Sequence, residues 1–398
     1  MKNVICKNKA YLLDKPLSTQ QESTKIRPRQ MKKLILAGGG HAHLAVLRHL
    51  ARLRPDGLSV TLVTPSAYQR YSGMLPGWIA GTYSLSEMSV DLRPLCVAAG
   101  VEMIESAVVG MDADRRCVVL PDDRHLEYDL LSLGIGAETD CSWFENVGPR
   151  LLPVKPLDGF VDAWSTWIVK AHRSQRVHIV VVGGGAAGFE LTMAVRRAMR
   201  DVKRVDLDLI AGASGLLPEY GQAVRRRASR CLRDAGAVIH EQRAVGIPGG
   251  VMLANGRDFH PDIVLVATGA RAPCWLKLSK LTLDERGHVA VDAFHRSLSH
   301  RQVFASGDIC TRMDVEMARS GVHAVHAGPV LAHNLTATLS NERLRAYQPR
   351  KTSLYLLANG ERSAIASWGG YSAEGRWVWC WKDAIDRRFI ARHRRQAA

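Results

Sequence analysis

The sequence has no C-x-x-C pair and no cysteine/histidine spacing of a zinc site; its eight cysteines stand singly between Cys6 and Cys380. That scatter excludes a disulfide scaffold and a structural zinc, and no metal site is expected. It fits a reduced, cytoplasmic setting. No run of about 18 apolar residues occurs, which excludes a membrane-spanning helix. Residues 1–30 are polar, rich in Lys and Arg, and lack the apolar stretch of a secretory signal, so they read as a disordered tail before Met31. Acid is scarce as well: 38 Asp and Glu against 54 Lys and Arg leave a formal charge of +16. No nucleic-acid motif accompanies that charge, and the arginines are not interleaved with aromatics, so no nucleic acid is expected as partner. The charge is read as solubility plus attraction for anionic cofactor phosphates. No nucleophile triad or pair of carboxylates stands out either. The chemistry must come from elsewhere.

What the sequence does have is 34 glycines in 398 residues, and they are clustered. A chain of this length is expected to form two domains. The segment KKLILAGGGHAHLAVLRHLARL, residues 32–53, reads as a strand, a glycine turn and an amphipathic helix. A second strand, 58–63, follows Pro55-Asp56-Gly57, which makes the βαβ start of a doubly wound sheet. The same grammar returns at VHIVVVGGGAAGFELTMAVRRAM, residues 177–199, with another strand at 205–210. Two such starts imply two dinucleotides or one duplicated fold.

In the second start, Gly183, Gly185 and Gly188 keep the G-x-G-x-x-G spacing between a strand and a helix. Gly183 permits the tight turn, Gly185 lets backbone approach a pyrophosphate, and Gly188 lets helix and strand pack closely. The helix N-terminus then offers N–H donors to the phosphates. The first start is a weaker copy. Gly38, Gly39 and Gly40 are followed by His41 and Ala42, but His43 fills the third glycine position, where a side chain must point away from the sheet or push the helix outward. Thr64 also stands where an acid for the adenosine ribose is expected.

Further marks follow in order: Gly134-Ile135-Gly136 after one apolar strand, Ala267-Thr268-Gly269 after another, and Gly307-Asp308 after a third. A helix is expected from about Val315 to Leu339. The tail from Tyr347 reads as a hairpin around Asn359-Gly360, a turn near Gly369-Gly370 and a closing basic helix. In that helix Trp377, Trp381, Ile385 and Phe389 recur every four residues, while Lys382, Arg387, Arg388, Arg392, Arg394 and Arg395 crowd the remainder. The stripe either packs onto the protein or lies in a bilayer interface.

This order of motifs resembles the two-dinucleotide flavoproteins, the FAD/NAD(P)-binding pyridine nucleotide-disulfide oxidoreductase superfamily. GGGHAH, RYSGMLPGWIAG and GRWVWCWKDAIDRRF bring it nearest to type II NADH dehydrogenase-like proteins and to the flavoprotein domain fused to selenophosphate synthetase. The resemblance implies an α/β fold of two Rossmann-like domains, with the NAD(P)H domain (158–275) inserted into an FAD domain (31–157 and 276–345). A small α+β segment with a basic amphipathic helix (346–398) completes it.

For FAD the resemblance implies Gly38, Gly40, His41, Ala42, Gly136, Gly269, Gly307 and Asp308. Asp308 would accept from a ribityl or ribose hydroxyl, or cap a following helix. Met74 and Pro76 would lie in a loop, Tyr71–Gly77, brought against the isoalloxazine. For NADH or NADPH it implies Gly183, Gly185 and Gly188. Glu190 would stand beside the nicotinamide, orienting it or relaying a proton, unless it is a plain surface glutamate. His326 aligns with a glutamine near flavin and quinone, whereas Val322 replaces its companion and His323 lies nearby.

The stretch 67–89 lacks the C-x-x-x-x-C pair of the disulfide reductases, so dithiol chemistry is not expected. The reading is therefore hydride transfer from NAD(P)H to FAD and electron delivery to a small-molecule acceptor, a quinone. Peripheral contact with the inner face of a membrane, and a homodimer, are the assemblies to test. The alternative is a non-catalytic redox-sensing or partner-binding flavoprotein linked to selenium metabolism.

Overall fold

The structure, a computed structural model, describes residues 31–317, 321–350 and 352–394. The expected tail, 1–30, and Arg395 lie outside the described residues. Two five-stranded parallel sheets dominate the chain. Their strands read as apolar runs, LILA in the first and IVVV and IVLV in the second, because both faces of a parallel sheet are covered.

In the first sheet the strands run in the order Val303–Ala305, Leu130–Leu133, Lys32–Ala37, Leu58–Thr64 and Glu102–Glu105, all parallel. Helix His41–Leu53 packs on one face and is itself covered by the long helix Gly321–Ser340. On the other face a small antiparallel sheet contributes Met111, Val118 and Leu120 to a core shared with Ile35 and Leu131. The first helix stops at Arg54, which turns left-handed (φ 40°) ahead of Pro55.

The second sheet has the order Leu151–Pro153, Ile263–Val266, Arg176–Val182, Arg204–Ile210 and Val238–His240, again parallel. Leu151–Pro153, which the sequence places in the first domain, therefore belongs to the second sheet. The chain crosses between the sheets on a short antiparallel ribbon in which Glu138 and Thr139 pair with Arg271 and Ala270.

The remaining unit is a three-stranded antiparallel sheet, Leu354–Ala358, Ala364–Trp368 and Tyr371–Gly375, followed by helix Arg376–Arg394. Its turns fall at Gly360 and Gly369, both with positive φ, as the Asn359-Gly360 and Gly369-Gly370 pairs predict. One expected boundary moves. Val315 lies in a bend, and the helix expected to begin there is described from Gly321.

Candidate active site between two glycine turns

At the first turn three glycines leave no room for a side chain. A Cβ on Gly38 would lie 2.6 Å from Ile135 Cα, one on Gly39 would lie 2.7 Å from Leu92 Cδ1, and one on Gly40 would strike Gly134 O. Gly40 caps the helix without a side-chain hydrogen bond, and although His43 N donates to Gly40 O at 2.9 Å, the N–H groups of His41 and Ala42 remain for a ligand.

His43 does not turn away from the sheet, contrary to the sequence reading. It is fully buried, with Nδ1 2.6 Å from Gly38 O and Nε2 2.8 Å from Ser132 Oγ. The opposing residue makes room: a Cβ on Gly134 would stand 2.7 Å from the imidazole. The missing third glycine has moved to the neighbouring strand. Burial pushes the His43 pKa down to about 4, so the ring is neutral.

A cavity of about 460 Å³ opens beside this turn. Gly38, Gly40, His41, Ala42, Gly136, Gly307 and Asp308 all line it, as expected for the FAD site, together with Thr64 and Lys155. Its size is that of a cofactor site. Lys155 Nζ meets Asp308 Oδ2 at 2.5 Å, a partner the sequence did not suggest. Asp308 is followed by a strand, Cys310–Arg312, rather than a helix, so it is not a helix cap. The glycine cradle, the open helix N-terminus and this acceptor fit FAD. Asp308→Ala is expected to raise the FAD dissociation constant by at least about tenfold, reflecting the lost hydrogen bond to a charged group, measured by flavin fluorescence on dialysis. Retention equal to wild type would remove Asp308 from the site.

The second turn behaves as its spacing predicts. Gly183 has φ +134° and would strike Ala267 O, while a Cβ on Gly188 would strike Gly183 O. Gly185 is different: it caps helix Ala186–Ala198, and nothing lies within 4 Å of its missing Cβ. Gly269 lines neither this turn nor the first cavity. Its carbonyl accepts from Asp140 N at 2.9 Å and ties the crossover ribbon.

Between the two domains and the final helix lies a second cavity of about 960 Å³. Glu190 lines it, so it is no surface glutamate; its Oε1 accepts from Ala358 N at 2.7 Å. Burial pushes its pKa up to about 7. Facing it are Lys382 and Asp386, one helical turn apart on Arg376–Arg394. Lys382 Nζ donates to Asp386 Oδ2 at 2.7 Å and to Gly73 O at 2.6 Å. Burial works against the Lys382 charge, but Asp386 and Glu190 outweigh it and hold its pKa above the usual lysine value. Burial likewise raises Asp386. Lys382 was read with the polar face of this helix; it is buried, and its i,i+4 spacing from Asp386 was the available signal.

Three other candidates fall elsewhere. His326 is exposed and lines neither cavity; His323, one helical turn earlier, lines the second and lies 3.1 Å from Tyr347 Oη. Tyr71–Gly77 is not the expected loop: a 3-10 turn, Ser72–Met74, leads into a short helix, Leu75–Ile79, which together bury Met74 and Pro76 in the core, and it is Tyr71 and Gly73 that reach the second cavity. Of the aromatic stripe, Phe389 stacks on Tyr71 at 4.4 Å, whereas Trp377, Trp381 and Ile385 are exposed. None of the described cysteines lines either cavity.

Residues 32–333 match the family described as Pyridine nucleotide-disulphide oxidoreductase. The chain belongs to this family. Its cofactors are accordingly FAD and a pyridine nucleotide, and its class is NAD(P)H-dependent flavin oxidoreductase. A "Probable NADH dehydrogenase" of Dictyostelium discoideum is 21% identical over 343 residues, 77% of this chain and 75% of that one. Human "Ferroptosis suppressor protein 1" is 22% identical over 285 residues, 67% of this chain and 71% of that one. Among solved structures, NDH2 of Plasmodium falciparum in complex with NADH superposes with a TM-score of 0.77 at 13% identity, covering 91% of this chain and 97% of that one. The sulfide:quinone oxidoreductase of Aquifex aeolicus gives 0.75 at 16%, covering 92% of each. At these identities the superpositions establish the fold. No helix among the described residues is long and apolar enough to cross a membrane.

Proposed function

We propose that this chain is an FAD-dependent NAD(P)H dehydrogenase that delivers electrons to a quinone. The observation that carries the reading is the second cavity: it adjoins both dinucleotide domains and holds Glu190, Lys382 and Asp386, and among the described residues no cysteine lines it. Bound FAD supplies the two-electron chemistry between a nicotinamide and a second acceptor. The chain's own residues do the rest.

The two glycine turns hold the pyrophosphates and so fix the approach of two rings, which hydride transfer needs more than it needs acids or bases. Tyr71 lines the cavity and is backed by Phe389, on which it stacks. Reducing a quinone to a quinol also takes up protons. Glu190, its pKa near 7, is the group facing the cavity that can be neutral or charged at working pH, and cationic Lys382 stabilises its charged form and any oxyanion formed opposite it. His323 lines the same cavity and replaces His326 as the imidazole candidate.

Stopped-flow mixing tests this: NADH or NADPH should bleach the flavin absorbance, and a short-chain quinone should restore it over many turnovers. Bleaching without reoxidation by quinone would favour the sensing alternative. Failure to bleach would end the dehydrogenase reading.

The acceptor's solvent suggests where the protein works. Trp377 and Trp381, 59% and 44% exposed, share the outer face of the final helix with Arg388 and Arg392, and exposed Ile385 reaches the cavity rim. Indoles at headgroup depth with arginines drawn to anionic lipid suit the interface of a bilayer, where a lipophilic quinone is dissolved. Cosedimentation with anionic vesicles is expected for the wild type. It should fall by about tenfold in Trp377→Ser/Trp381→Ser, whose side chains lie outside the core, since each indole contributes interfacial apolar area. Equal sedimentation of both proteins would count against membrane docking.

A further inference from the structure

Rossmann domains read the adenosine ribose at the end of the second strand, with an acid for a 2′-hydroxyl or an arginine for a 2′-phosphate. In the inserted domain that strand, Arg204–Ile210, runs out into Ala211-Gly212-Ala213-Ser214-Gly215, which carries neither. The segment is nonetheless held in place against the glycine turn. A Cβ on Gly184 would strike Ala211 O and would lie 2.6 Å from Gly215 O, and Leu217 N donates to Gly184 O at 2.7 Å.

Its other side is closed by Glu241, the residue that follows the neighbouring strand Val238–His240. Glu241 Oε1 accepts from Leu216 N at 3.3 Å and stands 3.1 Å from where a Gly215 Cβ would be. The carboxylate is exposed and has no ion-pair partner among the described residues. The arginines that follow in sequence do not neutralise it. Arg225, Arg226 and Arg233 surround an open depression lined by their own helix, Gln222–Asp234, alone. Arg230 lines the same depression, and it and Arg227 are paired with Glu374.

We propose that Glu241 is the specificity-determining residue of the nucleotide site and makes this chain select NADH. An acid displaced to the next strand edge replaces the one the second strand lacks. It leaves a 2′-hydroxyl with an acceptor at hand and confronts a 2′-phosphate with like charge. The inference rests on the reading of the Gly183–Gly188 turn as the NAD(P)H site.

Calorimetric titration of the FAD-loaded protein with NAD⁺ and NADP⁺ tests it without turnover. In the wild type NAD⁺ should bind at least about tenfold tighter than NADP⁺. Glu241→Gln keeps an oxygen for the Leu216 N–H and so spares the turn. It should bring the two affinities within about threefold by improving NADP⁺ alone, and most at low salt. Equal affinities in the wild type, a preference for NADP⁺, or a variant that weakens both nucleotides alike would overturn the proposal; the last would make Glu241 a support of the turn. Failure of the wild type to bind either nucleotide would instead overturn the underlying reading of the turn, and the proposal with it.

Discussion

Replacing Gly185 by Val is expected to yield a folded, yellow protein that NADH and NADPH no longer reduce. The position has extended backbone, φ −79° and ψ −174°, which valine adopts freely, and no atom within 4 Å of its Cβ. Among the described residues nothing stands against that Cβ, so what it would meet is a ligand lying on the turn. Reduction should slow by at least about a hundredfold, the scale on which misplacing a reactant acts, while dithionite still bleaches the flavin. The same substitution three residues later should do the opposite kind of damage. At Gly188 the new side chain would strike Gly183 O, backbone that cannot step aside without moving the strand. Gly188→Val should therefore cost more than about 3 kcal/mol, beyond ordinary overpacking, and show in the unfolding midpoint. Loss of FAD from Gly185→Val would mean that the two turns have been assigned to the wrong cofactors, and unaltered reduction would take Gly185 out of the nucleotide site.

Glu190→Gln should remove a pH dependence of both stability and turnover. Burial raises this carboxyl from 4.5 to about 7, so the folded protein binds more protons than the unfolded chain between those values. Stability contributed by the group is fully present below about pH 4.5 and is lost as pH rises through about 7; the change is on the order of 3 kcal/mol. The amide of the variant cannot titrate, so its unfolding free energy should be flatter over that window. Turnover with quinone should fall in the wild type as the neutral form is depleted above pH 7. In the variant it should be lower by about a hundredfold, the range of a lost general acid, with no inflection near 7. An unchanged inflection would assign the titration to another group and take the proton role from Glu190.

The residues that the sequence made legible are those whose partners are close along the chain. Gly183, Gly185 and Gly188 act on one strand–turn–helix, so spacing alone separates the turn glycine, the open one and the packing one. Asp308 was legible as lying just past a strand, but Lys155, its ion-pair partner, follows the edge strand Leu151–Pro153 of the inserted domain. His43 was misread for the same reason. Its ring can face the sheet only because residue 134, just past the strand Leu130–Leu133 that pairs with Lys32–Ala37, is glycine, and no local pattern reports that. His326 and His323 differ by one turn of a helix whose burial phase is set by its contact with His41–Leu53. In the Tyr71–Gly77 segment, which is a 3-10 turn and the start of a helix and not a loop, the hydrophobic residues Met74 and Pro76 took the core, leaving the aromatic Tyr71 and the small Gly73 to face the cavity. Glu190 meets Lys382 only through the small antiparallel sheet and helix that follow both domains, and a stripe of tryptophans diverted attention from the lysine beneath it.

The ribbon that pairs Glu138 and Thr139 with Arg271 and Ala270 bears on how such a chain comes to fold. Everything from residue 140 to residue 269 leaves and returns at one antiparallel pair, so in topological terms the whole inserted domain is the loop of a very long hairpin. Joining its ends costs little more than joining those of a loop half its length, because closure entropy grows only by about 0.6 kcal/mol per doubling. A loop that first collapses on its own core reduces even that, by bringing Thr139 and Ala270 together before the edge strand Val303–Ala305 has to find Leu130–Leu133. The long-range pairing that completes the first sheet thus becomes, in effect, a local one.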